Sequence, residues 1–177
     1  NASPYTTLKD FVAYAKANPG KLNYGTYGQG TSSHLQGSLL NQQAGLDLVP
    51  VPFQGSAPLM QQLVGGQLSS AFVDMASARA QLKNIRPLAV TGTQRLPSLP
   101  EVPSFKELGY QSFDPYGWFG MFLPGGVSAP LLDKYQVEVN RILRLPEVAA
   151  RVEALGLMPG GGTPAEFGRI LREDSDI

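Results

Sequence analysis

Cysteine is absent from the 177 residues, which excludes disulfides, thiolate metal sites and cysteine nucleophiles. One histidine, His34, excludes any site that needs two imidazoles. Charge is sparse: 14 Lys and Arg balance 14 Asp and Glu, and together they make up 16% of the chain. The lack of a basic excess argues against nucleic acid as a partner, because such domains carry a basic patch and a high pI. No apolar run approaches the ~20 residues that cross a bilayer. No Gly-x-Ser-x-Gly elbow, no Gly-Lys-Ser/Thr triplet and no metal-ligand spacing occurs, so no cofactor is expected. The chain opens without Met, on Asn1-Ala2-Ser3-Pro4, and closes on Ser175-Asp176-Ile177. Both ends read as cuts, and a leader would already have been removed.

What is plentiful is glycine (20) and proline (15). That balance suits a loop-rich globular chain of one domain, or one and a fraction. Leu8, Phe11, Val12 and Ala15 recur at helical spacing behind Thr6 or Thr7 as a cap, and Asn18-Pro19-Gly20 ends that helix. Residues 21–25 read as a strand and 31–40 as a helix. The stretch 46–53 reads as a second strand, placed at an edge by its prolines. Helix 59–64 follows, then strand 71–74, apolar enough to be central. Helix 76–82 and a fourth strand, 86–90, complete a β-α-β-α-β-α-β alternation. This pattern predicts an α/β fold with a mostly parallel sheet flanked by helices. Residues 93–115, punctuated by Pro97, Pro100, Pro103 and Pro115, read as an extended connection with one helical run at 105–108. An aromatic strand is expected at 116–123. Amphipathic helices are expected at 131–143 and 146–155, and a third behind Thr163-Pro164-Ala165-Glu166, where Thr163 and Glu166 form a capping box.

The strongest local feature is the turn between the first strand and the second helix: Gly25, Thr26, Tyr27, Gly28, Gln29, Gly30, Thr31, Ser32, Ser33 and His34. Backbone amides, a helix dipole and three hydroxyls converge there, which makes an anion site. The glycine spacing also matches a dinucleotide fingerprint, but no acidic residue stands where a ribose partner belongs. A carboxylate fits better than a pyrophosphate. An ordinary Ser/Thr-capped turn accounts for the same residues. A second helix start at Gln54, Gly55 and Ser56 repeats the pattern, and in a parallel sheet both starts face one crevice. Asp74 follows the third strand at the same edge, where it either caps the next helix or accepts from a ligand. His34 is either a packing residue, a donor to a carboxylate or a general base. Trp118 is core or a cleft wall.

These residues carry a resemblance. Lys21-Leu22-Asn23-Tyr24-Gly25, Gly28-x-Gly30-Thr31-Ser32-Ser33-His34-Leu35, Val51-Pro52-Phe53-Gln54-Gly55-Ser56-Ala57-Pro58 and Arg86-Pro87-Leu88-Ala89-Val90-Thr91 follow in an order similar to that of the tripartite tricarboxylate transporter substrate-binding proteins, the Bug or TctC family. The spaced prolines from Arg95 to Pro103, then Trp118-Phe119-Gly120 and Gly161-Gly162-Thr163-Pro164-Ala165-Glu166-Phe167, extend it over essentially the whole chain.

The resemblance implies a periplasmic receptor with a type II-like periplasmic binding fold. Its two α/β lobes close over a carboxylate-bearing small molecule, which it delivers to membrane permease subunits. Residues 1–115 correspond to the second lobe, and 116–177 to a return strand and helices that join a first lobe missing here. The ligand loop maps to Gly25 through His34, with Thr31, Ser32 and Ser33 offering N–H and O–H groups, and Asp74 maps to an acidic position that touches the far end of the ligand. Two departures stand out: Gln54 replaces a common Lys, and Lys83-Asn84-Ile85-Arg86 lacks the usual Ala-Gly-Lys spacing. Without the first lobe, the helix faces carrying Leu132, Val139 and Leu143 are expected to be covered by a homodimer, strand exchange or altered packing. A sensor domain for a signalling partner, an α/β enzyme with His34 as base and a dinucleotide-binding fragment are the rival readings.

Overall fold

Thr7 starts the first helix with a reciprocal cap. Its hydroxyl accepts from the Asp10 amide at 3.1 Å, and the Asp10 carboxylate accepts from the Thr7 amide at 3.1 Å. The computed structural model describes residues 3–113, 119–154 and 157–175. The chain forms two compact units, Asn1–Gly117 and Trp118–Ile177. In the first, α1 (Leu8–Ala17) buries Leu8, Phe11 and Ala15 along one stripe. Then follow β1 (Asn23–Thr26), α2 (Ser32–Ala44), β2 (Val49–Pro52), α3 (Ser56–Val64), β3 (Ser70–Ala71) and the short α4 (Met75–Arg79).

The three strands form one all-parallel sheet in the order β2-β1-β3. The edge placement of the proline-bearing strand is as expected, and its chemistry is visible. The Val49 amide donates to Leu22 O at 2.9 Å and the Phe53 amide to Thr26 O at 2.8 Å. Alternate residues therefore face β1, and the amide-less Pro50 and Pro52 fall on the open side. The centre of the sheet is β1, not the 71–74 segment, whose ladder to β1 spans only Ser70 and Ala71.

Strand periodicity divides the core in two. Leu22, Tyr24, Leu48 and Phe72 turn to one face and pack with Phe11 of α1 and Leu40 of α2. Tyr27, Val51, Phe53, Ala71 and Val73 turn to the other and pack with Leu59 and Met60 of α3. The two crossover helices therefore lie on opposite faces, although both begin at the carboxyl edge of the sheet.

The expected fourth strand, 86–90, does not form. Pro87 has no amide to give a ladder, and Val90 pairs elsewhere. Its amide donates to Pro103 O and its carbonyl accepts from Phe105, both at 3.0 Å. Val90 and Ser104 make one isolated parallel bridge. Residues 105–108 are hydrogen-bonded turns rather than a helix, with the Tyr110 amide closing on Phe105 O at 2.9 Å.

In the second unit, α5 (Ala129–Leu143), α6 (Pro146–Ala154) and α7 (Pro164–Ser175) match the three expected helices. The expected capping box is present: the Thr163 amide donates to Glu166 Oε2 at 2.7 Å, and the Glu166 amide to Thr163 Oγ1 at 3.2 Å. Asn140 ties α5 to the preceding turn of α7 by bonds to the carbonyl and amide of Gly162, both at 3.0 Å. Residues 119–123 form no strand. Leu132, Val139 and Leu143 are half-buried, while Leu131, Tyr135, Val137 and Ile142 of α5 are exposed. Among the described residues, no helix is long and apolar enough to cross a membrane.

Candidate functional site

Parallel strands deliver all three following turns to one edge. The β1–α2 turn carries Tyr27 to Thr31, the β2–α3 turn carries Phe53 to Gly55, and the β3–α4 turn carries Phe72 to Asp74. The chain leaves β1 for one face of the sheet and leaves β2 for the other. Such a divergence opens a crevice outside the strand ends, where α/β sheets bind ligands.

The glycine-rich turn is held from within by hydroxyls. The buried Thr26 accepts from the Gly28 amide at 3.1 Å. The buried Ser33 hydroxyl accepts from the Tyr27 amide at 2.9 Å and pairs with Thr31 Oγ1 at 3.0 Å. Thr31 Oγ1 in turn donates to Gly28 O at 2.7 Å. Gly28 and Gly30 have φ of 126° and 76°, a region that side-chain-bearing residues avoid. Thr31 is the N-cap residue of α2 by position, yet its side chain makes no cap bond. The hydroxyls of Thr31 and Ser33 are thus committed to the loop itself. The amides of Tyr27, Gly28, Gly30 and Thr31 are likewise spent within the loop, and its exposed side chains are Gln29 and Ser32.

The N-cap of α3 is Gly55, with φ of 102° and no side chain to cap with. Gln54 and Gly55 are exposed and Ser56 is half-buried. Two helix starts at neighbouring strand ends thus lack side-chain caps, and the residues around the edge include no Lys or Arg in 23–34, 49–58 or 69–78. Amides and helix dipoles are the positive groups there.

His34 is half-buried in the first turn of α2. Its Nδ1 accepts from the Gly30 amide at a long 3.4 Å, so the ring carries its proton on Nε2 when that bond is made. Gly25 lies on β1 below the turn, where a Cβ would come within 2.8 Å of Leu68 Cδ1. The same Cβ would lie 3.1 Å from Leu59 Cγ, so the missing side chain lets α3 pack closely on the sheet.

Asp74 joins two of the turns. Its Oδ1 accepts from the Ser77 amide at 2.8 Å, capping α4. Its Oδ2 accepts from the Ser77 hydroxyl at 2.9 Å and from the Tyr27 hydroxyl at 2.6 Å. Burial pushes the Asp74 carboxyl up, but the hydrogen bonds from Tyr27 and Ser77 outweigh it and hold the group below its ordinary value. Burial, then the bond to Asp74, pushes the Tyr27 phenol up to about 12. Ser77 carries no motif that singles it out in sequence, apart from standing three residues after a capping aspartate. Trp118 lies outside the described residues. Among those residues, no group of three His, Cys, Asp or Glu side chains could hold a metal ion.

Three comparisons bear on the chain as a whole. The model of the tripartite tricarboxylate transporter family receptor matches residues 1–176. The UPF0065 protein of the tcbD-tcbE intergenic region in a Pseudomonas species is 32% identical over 177 residues, 98% of this chain and 53% of that protein. An R. palustris protein solved with adipate superposes with a TM-score of 0.90 at 28% identity, covering 98% of this chain and 58% of that one. MatC from Rhodopseudomonas palustris, solved with bound malate, superposes with a TM-score of 0.78 at 30% identity, covering 88% of this chain and 54% of its own. The chain therefore spans a little over half the length of each of these relatives. The resemblance read from the motifs holds: the chain belongs to the tripartite tricarboxylate transporter receptor family.

Proposed function

We propose that this chain is the carboxylate-capturing part of a periplasmic solute receptor serving a tripartite tricarboxylate-type transporter. The observation that carries the reading is the carboxyl edge of the sheet. Two helix starts without side-chain caps, those of α2 and α3, flank one crevice, and segments 23–34, 49–58 and 69–78 that build this edge contain no Lys or Arg. A carboxylate accepts from their first amides and from the exposed Ser32 hydroxyl, and is held by dipoles instead of a formal positive charge. His34 donates from Nε2. The adipate and malate in the two related structures support a carboxylate as ligand.

In this reading residues 1–115 form the second ligand-binding lobe, and 116–177 lead back to a first lobe that closes with it over the solute. The closed receptor hands the solute to the permease subunits of the transporter. No catalytic step is assigned: His34 spends Nδ1 on the loop, and no second catalytic group stands beside it in the β1–α2 turn.

The test is a thermal-shift screen of mono-, di- and tricarboxylates on this chain and on the full product of its gene, side by side. A ligand at a hundred times its Kd adds about 2.7 kcal/mol of stability. The expected result is a clear shift for at least one acid in the full product and a smaller one in this chain. No shift in either across the panel overturns the reading.

A further inference from the structure

The turns after β1 and β3, at the same carboxyl edge of the sheet, are joined by a single side-chain pair. Tyr27, on the turn after β1, donates its hydroxyl proton to Asp74 Oδ2 at 2.6 Å and accepts from the Asp74 amide at 3.3 Å. Asp74 is the only carboxylate in residues 23–34, 49–58 and 69–78, the segments that build this edge. We infer that Tyr27 determines specificity at the carboxylate site: by occupying Asp74 Oδ2 it leaves a ligand at most one acceptor site, on Oδ1, of the edge's one carboxylate, so that acids without an ammonium group are taken in preference to amino acids. The inference rests on the carboxylate-receptor reading above.

The acceptor count supports it. An ionised carboxylate offers about four lone-pair sites, two on each oxygen. Oδ2 is filled by the Tyr27 and Ser77 hydroxyls, and one site of Oδ1 by the Ser77 amide. An ammonium seeking Oδ2 must displace a short bond to a half-buried phenol that is itself held at both ends. A ligand carrying only carboxylates, hydroxyls or methylenes has no such need. Selection of this kind comes from an occupied partner rather than from an added contact. Ser77 is a positioning residue in the same device, since it fills the second site of Oδ2 and fixes the carboxylate plane through its amide.

The experiment measures affinities of two matched pairs, adipate with 2-aminoadipate and succinate with aspartate, by calorimetry on the full gene product. Each pair differs by one ammonium group. Wild type is expected to favour the member without it. Tyr27→Phe opens Oδ2, and the affinity ratio within a pair moves towards the amino acid by roughly tenfold or more, the scale of one charge-assisted hydrogen bond. A loss of loop order alone lowers both members by one factor and leaves the ratio unchanged. Ser77→Ala opens the other Oδ2 site and keeps the inference testable if Tyr27→Phe does not fold; a shift in the same direction is expected. Binding that persists with an unchanged ratio in both variants overturns the specificity role and leaves the receptor reading standing. A wild-type preference for the amino acids overturns it as well. No binding of any of the four acids by any form removes the carboxylate reading, and the specificity role falls with it.

Discussion

Tyr27 and Asp74 are 47 residues apart in sequence, yet a 2.6 Å hydrogen bond joins the phenol of one to the carboxylate of the other. The pair ties the turn after β1 to the turn after β3 at the carboxyl edge of the sheet. Each partner makes the other's protonation state more persistent. The phenol stays protonated to about pH 12, and the carboxyl stays ionised further into acid than an ordinary aspartate.

This gives a pH dependence with a defined sign. Asp74 has a lowered folded-state pKa, so its contribution is complete above the ordinary carboxylate value of about 4 and fades as acid protonates it. Tyr27 has a raised one, so its contribution is complete below about 10 and fades as pH climbs through about 12. The melting temperature of wild type minus that of Tyr27→Phe is therefore expected to be flat across the neutral range and to shrink at both extremes. A difference that is the same at pH 3, 7 and 11.5 would count against the bond.

A second outcome concerns α2. A Cβ built on Gly37 would overlap the Tyr24 ring, lying 1.9 Å from Cε2. Tyr24 is only 1% exposed and cannot step aside. In an open helix Gly→Ala would gain about 1 kcal/mol. Here Gly37→Ala is expected to cost a net 1–3 kcal/mol or so, because α2 must lift off the sheet. Urea unfolding reads the change, and a stabilised variant would show that the helix does not lie on Tyr24.

The loop offers a third test through two neighbouring serines. Ser33 is buried and accepts from the Tyr27 amide, whereas Ser32 is exposed. Ser33→Ala leaves a half-buried amide without its partner, at a cost of about 1–3 kcal/mol. Ser32→Ala is expected to stay within about 0.5 kcal/mol in stability and to weaken carboxylate binding instead. Melting and ligand titration of both variants separate the two roles. Equal stability losses would mean that the hydroxyls are not divided between loop and crevice.

Local chemistry made much of this legible in the sequence. The caps at Thr7 and Thr163 follow from short-range patterns, as do the helices of both units and the edge placement of β2. Asp74 as a cap was legible for the same reason. Three features were not, because each depends on distant partners. Strand propensity at 86–90 is overridden when Val90 finds Pro103 and Phe105 instead of the sheet. Ser33 and Ser32 look alike in sequence, and only the loop's closure turns one inward. Tyr27 reads as part of a ligand loop until Asp74 is brought to it by the fold.

The proline-rich connection is where sequence patterning misleads most, and it carries the last prediction. Its prolines read as an extended connection, yet Leu99, Val102, Phe105 and Phe113 are all buried. Phe105 and Phe113 stack with centroids 4.0 Å apart and planes 10° from parallel, and Phe72 stacks on both from the sheet. The Gly92 amide anchors the end of the segment by donating to Phe113 O at 2.8 Å. Prolines stiffen such a chain before folding and so reduce the entropy lost in ordering it. Phe113→Ala removes the ring stacked on Phe105 and is expected to cost about 3–5 kcal/mol, as large-to-small changes of a buried aromatic do. Phe119, 90% exposed, is the internal comparison: Phe119→Ala should leave stability within about 0.5 kcal/mol. Denaturant unfolding of the two variants decides the matter. A small loss from Phe113→Ala would return the segment to the role of a tether, and the first unit would then have to be stable on α1, α2, α3 and the three-stranded sheet alone.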